Sequence, residues 1–257
     1  MSLRRLAVGL DIGGSGIKAG VVDVEVGELL GERVRVPTPA QARPADVARV
    51  AVEVVDAVLT AGPEPTVGTV GVGFPAVVRH GVTTTAANVH ADWIDAPAAH
   101  LLGAALGRQV VVANDADVAG LAEIRFGAGR GVAGVVLVTT LGTGIGSALF
   151  VDGVLVPNTE LGHIELDGAD AETTAADSAR EREDLSWKDW AARLQRFYTL
   201  LETVLQPDLM IVGGGVSKKH EKFLPLLRLR VPIVPAELRN EAGIVGAAVM
   251  AAEKEQP

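Results

Sequence analysis

The sequence predicts an α/β protein made of two halves of similar architecture that face each other across a cleft. Three observations predict it. Gly14-Ser15-Gly16-Ile17 and Gly142-Thr143-Gly144-Ile145 are near copies about half a chain apart, each between two apolar strands. Runs rich in β-branched residues alternate with segments whose apolar positions recur at helical spacing. The repeat distance is far too long for a solenoid. With 257 residues, 48% of them hydrophobic, the chain can fill two modest cores.

The elements follow in order. "RLAVGLDI" is apolar and β-branched, and "IKAGVVDVE" and "ELLGERVRVPTP" follow after short glycine-containing turns, which predicts an antiparallel meander. The period then changes: Val47, Val50, Ala51, Val54 and Val58 share one face of a helix closed by Gly62 and Pro63. "TVGTVGVGFPAVV" reads as a buried strand running into a turn, "DAPAAHLLGAALG" as a short helix and "RQVVVANDAD" as a strand ending at polar residues. The second half repeats the scheme, with "GVVLVTTLGTGIGSALFVDGVLV" as strand, glycine turn, strand. "SWKDWAARLQRFYTLLETVL" is an amphipathic helix expected to turn Leu194, Phe197, Leu201, Val204 and Leu205 inward. "DLMIVGGGVS" is a strand ending in a third glycine cluster, and "EAGIVGAAVMAAEKE" is a final helix, apolar on most of its surface. Residues 167–184 are polar and charge-rich and read as a loop or a solvated helix.

Composition excludes several classes. A net charge of −9 argues against a nucleic-acid or anionic-membrane binder, while leaving room for a local basic pocket. Cysteine is absent, so disulfides and thiolate metal sites are impossible, and a reducing cytoplasm fits. The apolar run after Arg4 and Arg5 breaks at Asp11 and reads as a first strand, not a signal peptide. Other apolar runs fall well short of the ~20 residues a membrane helix needs. A soluble cytoplasmic protein is expected.

Glycine costs roughly 0.5–1 kcal/mol in a regular element relative to alanine, so the clusters call for a reason. Gly14, Gly16 and Ala19 loosely satisfy a dinucleotide pattern, but that pattern needs a helix next, and "KAGVVDVE" is strand-like. No P-loop pattern occurs. What remains is a hairpin preceded by an acid. Gly13, Gly14, Ser15 and Gly16 would let phosphate oxygens approach backbone N–H groups, and Lys18 would add a point charge. Asp11 would hold Mg²⁺, directly or through water. A plain hairpin with a capping aspartate accounts for one such copy more readily than for two.

These motifs carry a resemblance over essentially the whole chain. "LDIGGSGIKAG", "LGTGIGSAL", "NDAD", "ELGH" and "GGGVS" resemble, in order, the motifs of the sugar-kinase branch of the ROK family, within the actin–hexokinase–Hsp70 superfamily. "VANDADVAGLAE", "ELGHIELDGADAE" and "RNEAGIVGAA" resemble one subgroup especially, the bacterial polyphosphate glucokinases and polyphosphate/ATP glucomannokinases. The resemblance implies two ribonuclease-H-like (actin-like ATPase) domains, each a mixed sheet with an antiparallel meander and flanking helices. The smaller would comprise residues 1–113 plus a C-terminal helix, 243–257, and the larger residues 114–242. It also implies a homodimer that takes glucose, a polyphosphate or ATP donor, and Mg²⁺.

Site residues follow from the same motifs. Asn114-Asp115-Ala116-Asp117 suits a helix N-cap, and it also suits a carboxylate that accepts a proton from an attacking hydroxyl. The resemblance makes Asp115 the catalytic base and Asn114 a sugar contact, with Asp117 structural. Glu160 and His163, three apart, can present paired donors and acceptors to sugar hydroxyls, and the resemblance assigns them to the hexose. Much of the family follows this motif with a zinc-binding cysteine cluster; this chain has no cysteine, so no zinc is expected and something else must order the loop. For the family's further sugar-binding glutamate, Glu172 is the match and Glu165 the rival. Asn88 and Trp93 are candidate walls of the sugar pocket.

On the donor side, Gly142, Thr143 and Gly144 form the second phosphate loop, and Gly214 and Gly215 resemble the family's adenosine-side motif. Lys218, Lys219, His220 and Lys222 form a basic run, either a solvated helix start or a guide for polyphosphate that Arg228 and Arg230 extend. An ATP-only glucokinase or a kinase of another hexose such as mannose is the alternative. A family transcriptional repressor would need a DNA-binding extension, and nine residues precede Leu10. A nicotinamide dehydrogenase would need a helix after the first glycine loop, and an inert sugar sensor would lack Asp11 and Asp115.

Overall fold

A computed structural model describes residues 4–255. The backbone divides into two compact units, Met1–Ala122 with Glu241–Pro257, and Glu123–Asn240.

In the first unit, β1 (Leu6–Ile12), β2 (Ile17–Asp23) and β3 (Glu28–Val36) form the antiparallel meander. Helix α1 (Pro44–Ala61) begins with proline in its first turn, where a missing N–H costs nothing. Its buried face carries Val47, Val50, Ala51, Val54 and Val58, as the spacing requires. Strand β4 (Val70–Phe74) and the small hairpin β5 (Val78–Arg79) and β6 (Val82–Thr83) come next. Helix α2 (Ala98–Leu106) closes on Gly107 in the left-handed region, and β7 (Val110–Asn114) leads into α3 (Asp115–Phe126). The sheet order is β3-β2-β1-β4-β7, with β4 parallel to β1 and to β7.

Alternation along β1 sends Val8 and Leu10 into the core with the α1 valines. Gly9 faces the other way. Gly20, Gly9 and Gly71 lie side by side across three strands in register. A Cβ on Gly9 would stand 1.9 Å from the carbonyl oxygen of Ile244, and one on Gly71 1.7 Å from that of Ala247. The sheet thus offers a floor without side chains, onto which the last helix of the chain settles backbone to backbone.

In the second unit, β8 (Val135–Leu141), β9 (Ile145–Val151) and β10 (Val154–Val156) repeat the antiparallel meander. A 3-10 turn, Leu161–His163, precedes the short hairpin β11 (Glu165–Leu166) and β12 (Ala169–Asp170). Helices α4 (Ala171–Ala175) and α5 (Asp177–Arg182) follow, so the segment left without an element by its composition is largely ordered. Ala171, Ala175, Ala176 and Ala179 explain it: small apolar residues at three-to-four spacing pass beneath the polar ones and are fully buried. Ser186 caps α6 (Trp187–Leu205), accepting from the Asp189 N–H at 3.2 Å. Leu194, Phe197 and Leu201 of α6 face the core and Leu205 packs against it, but Val204 is 68% exposed. It lies three residues beyond Leu201, yet on the final turn it clears the packed face.

Strand β13 (Leu209–Gly213) and β14 (Ile233–Pro235) complete the second sheet, ordered β10-β9-β8-β13-β14 with β13 parallel to β8 and to β14. Both sheets therefore share one plan, an antiparallel meander whose first strand is extended by parallel strands. Helix α7 (Ala242–Lys254) belongs to the first unit, where it packs on β1 and β4. No helix among the described residues is long and apolar enough to cross a membrane.

Candidate active site

The first glycine hairpin, between β1 and β2, is held by its carbonyls. Gly13 N–H donates to the Gly16 carbonyl at 3.0 Å, and Thr38 Oγ1 donates to the Gly13 carbonyl at 2.5 Å. Arg35 Nη2 donates to the Ser15 carbonyl at 2.8 Å, and its guanidinium passes 2.7 Å from where a Gly16 Cβ would stand. With these acceptors engaged, the N–H groups of Gly14, Ser15 and Gly16 make no hydrogen bond among the described residues. N–H groups left in this way are available to an anion.

Lys18 Nζ donates to Asp11 Oδ2 at 2.7 Å, with both side chains largely buried. The register explains the contact, since Asp11 and Lys18 are directly opposed on β1 and β2. Asp11 also faces the start of α7: a Cβ on Gly243 would come within 2.7 Å of the carboxyl carbon. The bare backbone of Gly243 thus packs directly against the carboxylate. Lys18 occupies Oδ2, and Oδ1 has no hydrogen bond among the described residues, so Oδ1 is the atom of this pair that would reach a hard cation. Asn88 is exposed, with its Cβ 3.5 Å from the position of a Gly14 Cβ, which puts it over this hairpin. Trp93 does not line a pocket: it is 0% exposed, packs at a tilt against Phe74 with ring centres 4.5 Å apart, and donates its indole N–H to the Ala42 carbonyl at 2.9 Å. A large aromatic with a satisfied N–H is a core residue here, and the pocket-wall expectation is corrected.

At the junction of β7 and α3, Asn114 is nine-tenths buried. Its Oδ1 accepts from the N–H groups of Ala116 at 2.8 Å and Asp117 at 3.2 Å, and its Nδ2 donates to the Ala76 carbonyl at 3.2 Å. Asn114 is therefore the side chain that caps α3. Asp115 is half-buried, and its Oδ1 accepts from the Ala116 N–H at 2.9 Å, which holds the carboxylate at the helix start. Asp117 is buried within α3.

In the second unit, Glu160 and His163 flank the 3-10 turn after β10, with His163 Nε2 3.8 Å from Glu160 Oε2. Gly162 between them presses on β9, because a Cβ there would meet the Ile145 carbonyl at 2.1 Å. Glu172 joins this group, with Oε1 3.9 Å from His163 Nδ1. Its Oε2 accepts from the Ile145 N–H at 2.9 Å, at the end of the second glycine hairpin. Glu165 is exposed on β11, and no described contact joins it to His163, so between the two rivals the structure brings Glu172 to the cluster. Desolvation pushes the Glu160 carboxyl above its ordinary range, with His163 opposing and Glu172 reinforcing the shift. His163 is held above its ordinary value chiefly by its hydrogen bond to Asp170, against a smaller loss from burial.

The second glycine hairpin resembles the first in how it is held. Gly142 N–H donates to the Gly144 carbonyl at 3.0 Å. Ser178, in α5, donates its N–H to the Gly142 carbonyl at 3.1 Å and its Oγ to the Thr143 carbonyl at 2.6 Å. The N–H groups of Thr143 and Gly144 again make no hydrogen bond among the described residues. The third cluster stands next to it. Gly214 has φ of 82°, and a Cβ there would lie 2.2 Å from the carbonyl oxygen of Leu141, the residue that enters the hairpin. Both the left-handed backbone and the close approach require glycine. Gly215 is open, and Ser217 caps the turn through the Gly214 carbonyl at 2.8 Å. A cavity of about 380 Å³ borders Ser217 and His220 on one side and Ala236 and Glu237 on the other.

Lys218, Lys219 and Lys222 are exposed and form no ion pair among the described residues. Lys219 and Lys222 approach the Trp187 ring at 5.8 and 5.5 Å. Arg230 does not extend this run as a free cation. It pairs with Glu202, whose carboxylate also accepts from the backbone N–H groups of Arg230 and Val231. Arg35, Thr38, Asp170 and Ser178 were not singled out from the sequence. For Asp170 a signal existed, an aspartate two residues before Glu172 at a helix start; for Arg35 and Thr38 none did, since only strand pairing brings β3 to the hairpin.

Comparisons with known proteins agree with one another. The model of the ROK family matches residues 7–179. Polyphosphate glucokinase of Mycobacterium tuberculosis strain H37Rv is 49% identical over 247 residues, 96% of this chain and 91% of that protein. The crystal structure of inorganic polyphosphate/ATP-glucomannokinase from Arthrobacter sp. strain KM superposes with a TM-score of 0.95 at 56% identity, covering 98% of this chain and all of that one. A ROK family glucokinase from Streptomyces griseus, solved with glucose and AMPPNP, gives 0.82 at 26% identity over 96% of this chain and 99% of that one. With its mixed sheets, two bare-backbone hairpins and these matches over nearly its whole length, the chain belongs to the ROK family.

Proposed function

We propose that this chain is a polyphosphate glucokinase that transfers the terminal phosphoryl group of inorganic polyphosphate to the 6-hydroxyl of glucose, giving glucose 6-phosphate. One observation carries the reading. Two glycine hairpins have carbonyls tied by side-chain and backbone donors, and the N–H groups of Gly14, Ser15, Gly16, Thr143 and Gly144 are left to bind an anion. Identity of 49% to a polyphosphate glucokinase over 96% of the chain supports the donor and the acceptor.

In this reading Asp115 accepts the proton of the 6-hydroxyl as its oxygen bonds to the terminal phosphorus, and the bridging oxygen leaves with a polyphosphate one unit shorter. Asn114 holds the α3 start that carries Asp115 and contacts the sugar. Glu160, His163 and Glu172 hold the hexose hydroxyls, with Asn88 a further sugar contact from the first unit. The N–H groups of Gly14, Ser15 and Gly16 and of Thr143 and Gly144 receive the donor, in hairpins closed by the Gly13 and Gly142 N–H groups, with Lys18, Gly214, Gly215 and Lys218 as further donor contacts. Asp11 is the residue that would hold Mg²⁺, which when bound neutralises donor oxygens. A homodimer working in the cytoplasm completes the reading.

ATP and mannose are included as second donor and acceptor on the strength of 56% identity to a polyphosphate/ATP-glucomannokinase. The decisive experiment is a coupled assay of the purified chain with glucose and either polyphosphate or ATP at matched phosphate. Turnover with polyphosphate is expected. Turnover with ATP alone would remove the donor assignment and leave an ATP-only glucokinase.

A further inference from the structure

We infer that Asp170 is a positioning residue for the hexose, holding the His163 ring so that its Nε2 faces the sugar hydroxyls beside Glu160. The inference rests on the proposed reading of His163 as a hexose ligand. Its basis is local and lies within one unit. Asp170 Oδ2 meets His163 Nδ1 at 2.9 Å. Its Oδ1 accepts from the Glu172 N–H at 3.2 Å, which caps α4, and its carbonyl accepts from Thr173 Oγ1 at 2.6 Å. Its backbone is paired with Glu165 across the β11–β12 hairpin. The aspartate is thus anchored by its strand and by its helix before it touches the histidine.

His163 needs such a partner. Its side chain is 45% exposed at the end of a single 3-10 turn, where an imidazole with no neighbour would turn among rotamers. A hydrogen bond at Nδ1 places a proton on that nitrogen and decides what Nε2 presents. Glu160 Oε2 lies 3.8 Å from Nε2, too far for a direct hydrogen bond, and a hydroxyl oxygen between them reaches both. With the imidazole protonated, Nε2–H donates to that oxygen while the hydroxyl O–H donates a hydrogen bond to the Glu160 carboxylate. Three carboxylates face the ring, those of Asp170, Glu172 and Glu160, and each favours the protonated form. Asp170 makes the shortest of these contacts.

The test compares Asp170→Ala, Asp170→Asn and His163→Gln with the unaltered enzyme, measuring kcat and KM for glucose between pH 6 and 9. Asparagine keeps a cap for α4 and an acceptor for Nδ1 but removes the charge. Asp170→Ala is expected to raise KM about 10-fold, the scale of lost outer contacts to a histidine ligand, with kcat within about twofold. Asp170→Asn should restore most of the affinity at low pH, with its rise in KM beginning at lower pH than in the unaltered enzyme. The His163 ring resonances should titrate with a lower midpoint in that variant, a readout independent of turnover. If His163→Gln leaves KM unchanged, the hexose reading falls and the inference with it. If His163→Gln raises KM and Asp170→Ala does not, the inference alone falls. It falls too if the His163 midpoint does not move in Asp170→Asn, or if both aspartate variants raise KM equally and only in step with lost thermal stability.

Discussion

Asp115 sits where a strand ends and a helix begins, and the role proposed for it is compatible with what its neighbours already do. Asn114 caps α3, so Asp115 is not needed for that task, and its carboxylate is steadied at the helix start by the Ala116 N–H. In the proposed reading Asp115 is the base, and a carboxylate so held need not be ordered during the reaction. Asp115→Asn keeps the shape and loses the proton acceptor, so turnover should fall by at least about 100-fold while glucose still binds, as read by kcat and by equilibrium titration. A near-normal rate would end the role. At this scale the sequence was informative wherever chemistry and local structure coincide, as at Asp11, Lys18 and the "NDAD" junction. It was silent on Arg35, which reaches the first hairpin only because β3 pairs with β2. Trp93 shows the opposite failure: an aromatic in a polar loop resembles a pocket wall, and only packing against Phe74 and the Ala42 carbonyl reveals a core residue.

Between elements, glycine decides how closely backbones meet. Gly9 and Gly71 let α7 lie directly on β1 and β4, and Gly246 of α7 does the same toward α3, where a Cβ would stand 1.7 Å from the Val118 carbonyl oxygen. These contacts are with backbone, which has no rotamer to yield. Gly71→Val must therefore push α7 off the sheet, at a cost of about 3 kcal/mol or more, and denaturant unfolding should show a lower midpoint or no folded baseline. A midpoint unchanged from that of the unaltered protein would show that α7 does not lie there. The sequence marked α7 as a helix that is apolar almost all round, which is the pattern of a buried helix. Its small residues, Gly243, Gly246, Ala247 and Ala251, were legible; which strands they meet was not. Residues 167–184 were harder still, because charges on the surface of α4 and α5 hide the alanines that bury them.

At the scale of the whole chain, the first unit is discontinuous. It takes Met1–Ala122 and then recovers Glu241–Pro257 after the second unit is complete. Because α7 covers the glycine floor of the first sheet, a chain ending at Asn240 exposes that sheet's apolar face. Such a truncation should lose cooperative unfolding of the first unit and gain dye-binding hydrophobic surface, read by calorimetry and fluorescence. Two undisturbed transitions would contradict this account. The second unit, Glu123–Asn240, is continuous and carries its own core around Leu137, Trp190, Phe197 and Phe223.

The sequence by itself determined the class of fold, the order of the longer strands and helices, and the two glycine hairpins, because hydrophobic period and backbone freedom are properties of neighbouring residues. Tertiary structure alone decided which side chains tie those hairpins, which of Glu165 and Glu172 joins His163, and where α7 docks. Each of those outcomes depends on contacts between residues distant in the chain, and such contacts are set by strand register and close packing rather than by local pattern.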